Sequence, residues 1–352
     1  MNTEANTGPA RPNLAAVAKL AGVSPSTASL AFSGAGPVSD ATRAKVLAAA
    51  EELNYAGPDP RAQSLRRGRS GIIGVVIEDR LADAFRDPIN IAMLDGIADE
   101  LGASALSLLL LTDTGEAGAN ISTAPMDAVI LIGCSRELDE SVTVFRQRGI
   151  PIVAIEAESM PGVLAIDLDN REATARGARY LQELGHRRVA IVSLPLDSAR
   201  TRGAITDARF AASSASTTKQ RILGTRDVYP DATGVVAAGS LIEEGAIAGH
   251  ELLAADDRPT AIIAQSDLLA LGVIQAAQEL GIEVPGQLSV LGFDGARVDG
   301  SGPWVLTTLV QPAVEKGRAA GHAVVELLAG VSPEPALFRS VLRIGNTTAP
   351  RP

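Results

Sequence analysis

The sequence predicts an α/β chain in two parts, a small helical unit followed by two similar lobes built on parallel sheets, and three observations predict it. Charge divides the chain first: residues 1–70 hold eight basic and five acidic side chains, a net of +3, so the rest of a chain of net charge −10 carries −13. A small basic module joined to a large acidic one suits a protein that docks one end on a polyanion and uses the other end for something else. Near the N-terminus, apolar residues recur at helical spacing. From Ser70 onward, apolar runs of strand length alternate with helical segments, the pattern of parallel sheets covered on both faces.

The first ten residues are polar and interrupted by Gly and Pro, which predicts a disordered tail. Leu14, Val17, Ala18 and Ala21 then mark one helix, Gly22 stops it, and Ser24 caps a second whose first turn contains Pro25. That is helix, tight turn, helix. A third helix follows Ser39, with Val46, Leu47, Ala50 and Leu53 expected on one face. In GPDPRAQSLRRGRS, Asp59 suits an N-cap, Pro60 the first helical position and Gly68 the end, so a short helix is expected inside a linker. The strand-like runs are IIGVVI (72–77), SALSLLLL (104–111), DAVILIG (127–133) and PIVAIE (151–156), and after Asp169 the series repeats with RVAIVSL (188–194), TAIIAQS (260–266) and QLSVLGFD (287–294). Two such series predict two lobes, with ligands expected where strand C-termini face the crevice between them.

Composition narrows function. At 352 residues and 46% hydrophobic the chain is ordinary globular material, and no apolar run approaches the ~20 residues of a membrane span. The N-terminus lacks a basic flank followed by an apolar core, which predicts a cytoplasmic protein without a membrane partner. One cysteine, Cys134, and three scattered histidines, His186, His250 and His322, predict no disulfide framework, no metal and no cofactor. No Gly-rich phosphate loop, GxSxG elbow or HExxH motif points to an enzyme. Cys134 has no histidine beside it in sequence and reads as a small buried residue.

The motifs resemble the LacI/GalR family of bacterial transcription regulators over essentially the whole chain. LAAVAKLAGVSPSTASLAFSG (14–34) and VSDATRAKVLAAAEELNY (38–55) resemble its helix-turn-helix headpiece, and AQSL (62–65) its hinge helix. GIADELG (96–102), LGHRRVAIVS (184–193), SDLLALG (266–272), SVLGFD (289–294) and LTTLVQP (306–312) follow in family order. The resemblance implies a headpiece at 11–57, a hinge at 58–69 and a two-lobed, periplasmic-binding-protein-like domain at 70–352 that binds effector and dimerises. Lobe 1 would take residues 70–168 and 312–338, lobe 2 residues 169–311 and 339–352.

By the same resemblance, Pro25, Ser26, Thr27, Ser29 and Leu30 enter the major groove of double-stranded operator DNA. Hydroxyls bond several base edges and apolar atoms meet a thymine methyl. The family commonly has arginine where Leu30 stands, so a bidentate guanine contact is not expected at that step. Asn13, Ser24, Thr42 and Tyr55 match phosphate-holding positions. Leu65 would wedge between base pairs from the minor groove, beside Ala62 and ahead of Arg66, bending the duplex to gain contacts. One extra residue separates Tyr55 from Pro58.

For the effector, Glu156, Arg202, Ser266, Asp267 and Asp294 match family ligand positions, with Phe85 and Trp304 offering apolar faces. An arginine and carboxylates at strand ends suit a hydroxyl-rich small molecule such as a sugar or an inositol-like cyclitol. The insert LADAFR (81–86), the shortened TDTGEAGANISTAP (112–125) and the small, polar AASSASTTKQ (211–220) depart from the family pattern near the crevice. The expectation is a ligand-responsive homodimeric repressor. A sugar-binding protein without regulatory DNA binding and a nucleoside-responsive regulator are the alternatives.

Overall fold

The structure, a computed structural model, describes residues 12–34, 36–57, 68–77, 81–112, 121–133, 139–157, 160–255, 257–298 and 302–351. The expected tail (1–10), Ala62, Leu65 and Arg66 of the expected hinge, and Cys134 lie outside the described residues. The chain divides into two units at Ser70 and Gly71.

The first unit is a bundle of three short helices, α1 (Leu14–Ala21), α2 (Pro25–Ser33) and α3 (Asp40–Glu52). Each starts at a side-chain cap: Asn13, Ser24 and Ser39 accept from the backbone N–H three residues on. Gly22, at φ 68°, ends α1 in the left-handed conformation that turns the chain into α2. Val17, Ala18, Ala28, Ala31, Val46, Ala49 and Ala50 form the core. Leu47, expected on the inward face, is 47% exposed. The buried stripe of α3 runs Val46, Ala49, Ala50 with half-buried Leu53, at the i, i+3, i+4, i+7 spacing of one helix face.

The second unit holds two sheets. Lobe 1 has β1 (Ile72–Ile77), β2 (Ser107–Thr112), β3 (Ala128–Ile132), β4 (Ile152–Ile155) and β5 (Leu164–Leu168), completed by β12 (Ala336–Phe338) from near the C-terminus. Its order is β12-β5-β4-β3-β1-β2, all parallel. Lobe 2 has β6 (Val189–Ser193), β7 (Gly203–Ala204), β8 (Gly234–Val236), β9 (Ala261–Ala264), β10 (Ser289–Asp294), β11 (Thr307–Val310) and β13 (Val341–Arg343). Its order is β13-β11-β10-β9-β6-β8-β7, with only the outer strands β13 and β7 antiparallel. The expected run at 104–111 starts late as a strand, because Ser104 caps the preceding helix.

The helices of lobe 1 are α4 (Leu81–Ala84), α5 (Pro88–Ala103), α6 (Asp139–Gln147) and, after the chain has built most of lobe 2, α12 (Ala313–Leu328). Helices α5 and α12 approach so closely that a Cβ on Gly96 would stand 2.1 Å from the Val314 carbonyl oxygen, and one on Gly317 2.1 Å from that of Met93. Lobe 2 carries α7 (Asn170–Glu183), α8 (Asp207–Ala212), α9 (Ser216–Arg226), α10 (Ile242–Leu253) and α11 (Asp267–Glu279). The chain therefore passes between the sheets three times, after β5, after β11 and after β12. Among the described residues, no single helix is long and apolar enough to cross a membrane.

Candidate functional site

In the helical unit, Pro25, Ser26 and Leu30 are exposed on α2, Leu30 at 39%, while Thr27 and Ser29 are half-buried. The Ser24 hydroxyl accepts from Thr27 N at 3.1 Å and shares a 2.8 Å hydrogen bond with the Thr27 hydroxyl, so both side chains hold the start of α2. Asn13 Oδ1 accepts from Ala16 N at 2.9 Å. Thr42 and Ser39 share a 2.9 Å hydroxyl bond at the start of α3. Tyr55 packs edge-on against Phe32, ring centroids 5.7 Å apart. Three of the four phosphate candidates thus sit at helix N-termini, where backbone N–H groups and the helix dipole favour an anion.

Between the lobes lies a cleft of about 680 Å³. Glu156 and Asp294, at the C-terminal ends of β4 and β10, reach into it, as do Arg202 and Ser266. Glu156 Oε2 accepts from Asn170 Nδ2 at 2.7 Å, and Lys316 on α12 bonds both Glu156 Oε1 and Gln311 Oε1. Burial pushes the Glu156 carboxyl up, but Lys316 and Arg221 beside it outweigh burial and hold it below the usual carboxylate range. Asp294 Oδ1 accepts from Gln311 Nε2 at 2.6 Å. Here burial wins, and the carboxyl stands well above its usual range despite Arg221.

Arg221, on α9, is the hub. Its Nε donates to Asn170 Oδ1 at 2.8 Å and its NH1 to the Gln265 carbonyl at 2.6 Å. The guanidinium carbon lies 3.6 Å from the centroid of the Phe293 ring. It also pairs with Glu156 of lobe 1 at 3.7 Å and Asp294 of lobe 2 at 3.8 Å. Thr217 adds a cross-lobe bond, its hydroxyl donating to the Glu156 carbonyl at 3.2 Å. At the rim, Arg86 of lobe 1 pairs with Glu243 of lobe 2 at 2.9 Å, both exposed.

Arg202 lines the cleft but is already engaged. Its Nε donates to Glu244 Oε2 at 2.8 Å and its NH2 to Oε1, and Glu244 also accepts from Ala238 N at 2.8 Å. The bond from Arg202 leads in holding the Glu244 carboxyl low. Ser266 caps α11 by accepting from Leu269 N, and receives a 3.0 Å bond from Ser240.

Three expected effector residues stand elsewhere. Asp267 is fully buried and does not line the cleft: it accepts from Thr308 Oγ1 at 2.6 Å and Ala296 N at 2.8 Å, tying α11 to the strands beside it. Burial pushes its carboxyl up to about 7. Trp304 lines a separate recess of about 270 Å³ with Leu271, Val305 and Arg343, and packs on the lobe 2 core. Phe85 is 55% exposed and does not line the cleft, to which Asp83 and Asp87 on either side of it in the chain contribute.

Arg221 and Lys316 escaped the sequence reading. The signal was there: Arg221 falls on the buried stripe Thr218, Ile222, Thr225, and Lys316 on the stripe Ala313, Gly317, Ala320, Val324, each a charge where helical periodicity calls for a small or apolar residue.

A helix–turn–helix unit and a two-lobed domain with a polar cleft define a regulator that binds DNA with one part and a small-molecule effector with the other. Residues 13–57 match bacterial regulatory proteins of the lacI family, and residues 178–348 match the periplasmic binding protein-like domain. The HTH-type transcriptional regulator IpsA of Corynebacterium glutamicum is 31% identical, over 96% of this chain and 97% of that protein. A LacI-family regulator structure from the same species superposes with a TM-score of 0.72 at 26% identity, covering 96% of this chain and 98% of that one. The lac repressor dimer bound to operator and the anti-inducer ONPF shares the fold, with a TM-score of 0.74 at 22% identity over 96% and 99% of the two chains. The chain belongs to the LacI family and is a transcriptional regulator.

Proposed function

We propose that this regulator is a homodimeric repressor that holds a pseudo-palindromic operator and releases it when a hydroxyl-rich molecule, a sugar or a cyclitol, fills the cleft. The observation that carries the effector class is the lining itself: Glu156, Asp294 and Arg202 converge on one cleft with Ser and Thr hydroxyls, and among the described lining residues none is aromatic. Charge-assisted bonds to hydroxyls need those groups, whereas a nucleobase needs a flat face to stack on. The dimer follows from two-fold protein symmetry mapping onto two half-sites, since one headpiece contacts few bases.

A ligand shifts DNA binding only through its differential affinity for two lobe arrangements, and a coupling of ~1 to 3 kcal/mol gives about 5- to 150-fold changes. Calorimetry against sugars, cyclitols and nucleosides, repeated with Arg202→Ala and paired with operator binding, tests the reading. Tight binding of a nucleoside, or an effector affinity that Arg202→Ala leaves unchanged, overturns it.

A further inference from the structure

Arg221 has donors that the protein does not use. A guanidinium carries five N–H groups. Among the described residues, that of Arg221 makes hydrogen bonds with only two of them, Nε to Asn170 and NH1 to the Gln265 carbonyl. Its approaches to the flanking carboxylates are too long to be hydrogen bonds: NH2 stands 3.7 Å from Glu156 Oε2 and NH1 3.8 Å from Asp294 Oδ1, against about 2.7 to 2.9 Å for a charge-assisted bond. The Phe293 ring covers one face of the guanidinium, so the remaining donors are reached along its planar edge. Arg221, Glu156 and Asp294 all line the cleft.

Each gap calls for a group that accepts on one side and donates on the other. An anion accepts from the guanidinium but meets a carboxylate, and a cation donates to the carboxylate but meets the guanidinium. A hydroxyl does both. With its oxygen about 2.8 Å from the nitrogen and about 2.7 Å from the carboxylate oxygen, it bridges either gap. The two gaps open from two nitrogens on one carbon, the spacing that a partner with two neighbouring oxygens matches. Arg202 is placed differently, because its Nε and NH2 are both taken by Glu244.

We propose that Arg221 reads two adjacent hydroxyls of the effector, one bonded between its NH2 and Glu156, the other between its NH1 and Asp294. This rests on the polyol reading above and deepens it, naming the reading group and the pattern of hydroxyls that it selects. Glu156 belongs to lobe 1 and Arg221 to lobe 2, so the first hydroxyl bonds both lobes at once. Its two bonds form together only when the lobes are closed.

Calorimetry on the full chain with glucose and myo-inositol, each beside its complete set of monodeoxy analogues, tests this. In the series that binds, removing either of two neighbouring hydroxyls is expected to weaken binding at least about tenfold. Arg221→Lys keeps a cation between the carboxylates but loses the planar fork. It should weaken the parent polyol and bring those two analogues within about threefold of it, with the other positions as sensitive as before. A structural role alone would lower parent and analogues by one factor. Asp294→Asn retains the acceptor for Gln311 and should reduce the sensitivity at one of the two positions only, which decides the question even where Arg221→Lys fails to fold. Arg202→Ala should leave it at both. Sensitive positions that are not neighbours, a uniform loss with Arg221→Lys, an Asp294→Asn that changes neither position, or a sensitivity removed by Arg202→Ala instead overturns the proposal. If no member of either series binds, the polyol reading fails and this falls with it; if the parent binds without such a pair of positions, only this fails.

Discussion

Arg221 of lobe 2 stands 3.7 Å from the carboxylate of Glu156 in lobe 1, and both side chains are more than nine-tenths buried. The pair therefore joins the lobes through charges that water does not screen. Because Arg221 also pairs with Asp294 and covers Phe293, removing it leaves Asp294 without its cation and Glu156 with Lys316 alone.

Arg221→Met is accordingly expected to destabilise the two-lobed unit by ~3 to 5 kcal/mol, the usual cost of breaking a buried ion pair from one side. Adding Asp294→Asn to that variant should recover part of the loss, since it removes the carboxylate left without a cation while Glu156 keeps Lys316. Denaturant unfolding of the single and double variants measures this. A loss below ~1 kcal/mol for Arg221→Met would show the guanidinium to be solvated.

Asp294→Asn should have the opposite sign. Burial raises the folded carboxyl above its ordinary value of 3.8, so Asp294 costs the native state increasing stability as pH rises from that value through the folded one. The Asn variant retains an acceptor for Gln311 and carries no charge. Its Tm should match the parent's below pH 3.8 and exceed it at neutral pH, while effector binding weakens. Paired thermal scans across pH decide the point, and a variant less stable at neutral pH than the parent would contradict it.

Within the headpiece, Ser24 and Ser26 are two residues apart and should behave differently. Ser24→Ala removes the cap of α2 and should destabilise the headpiece by ~0.5 to 2 kcal/mol, weakening all DNA binding with it. Ser26 is exposed and makes no capping bond to α2, so Ser26→Ala should leave stability within ~0.5 kcal/mol while lowering operator affinity. Melting and titration of both variants separate the roles; equal affinity of Ser26→Ala and the parent would remove Ser26 from the interface.

At the expected hinge, Leu65→Ala should weaken specific operator binding and leave effector binding nearly intact, because losing the wedge forfeits the contacts that a bent duplex provides. Equal losses on operator and random DNA would argue against a wedge. Sedimentation of the parent should show a dimer at micromolar concentration; a monomer there, with or without operator, would sink the two-headpiece arrangement.

The fold was legible because it is written in periodicity. Strands buried on both faces read as unbroken apolar runs, and the caps at Ser24 and Ser39 announced their helices. Strands β5 and β12 were not legible, because Asp167 breaks the apolar run of LAIDL and ALF is only three residues long, so that pairing with sheet neighbours makes them strands. At the cleft, strand-end residues Glu156 and Asp294 could be placed by the rule that ligands gather at strand C-termini. Arg221 could not be placed that way, because it arrives from the helix α9 and not from a strand end. Asp267 shows the converse: it directly follows a residue that lines the cleft, yet one step along a helix rotates it by about 100° into the core.

Helix α12 packs against α5 through Gly96 and Gly317, although 209 residues lie between Ala103 and Ala313. On a ribosome adding about 5 to 20 residues per second, α5 waits on the order of 10 to 40 s for its partner. Throughout that interval the nascent first lobe shows an uncovered apolar face, and the last strand of its sheet, β12, is still unmade. The headpiece has no such delay, since its three helices are complete by Glu52. A DNA-binding module is therefore finished well before the domain that controls it, and slow translation or a shortage of chaperones should yield polypeptides with a folded headpiece on a collapsed, aggregation-prone remainder.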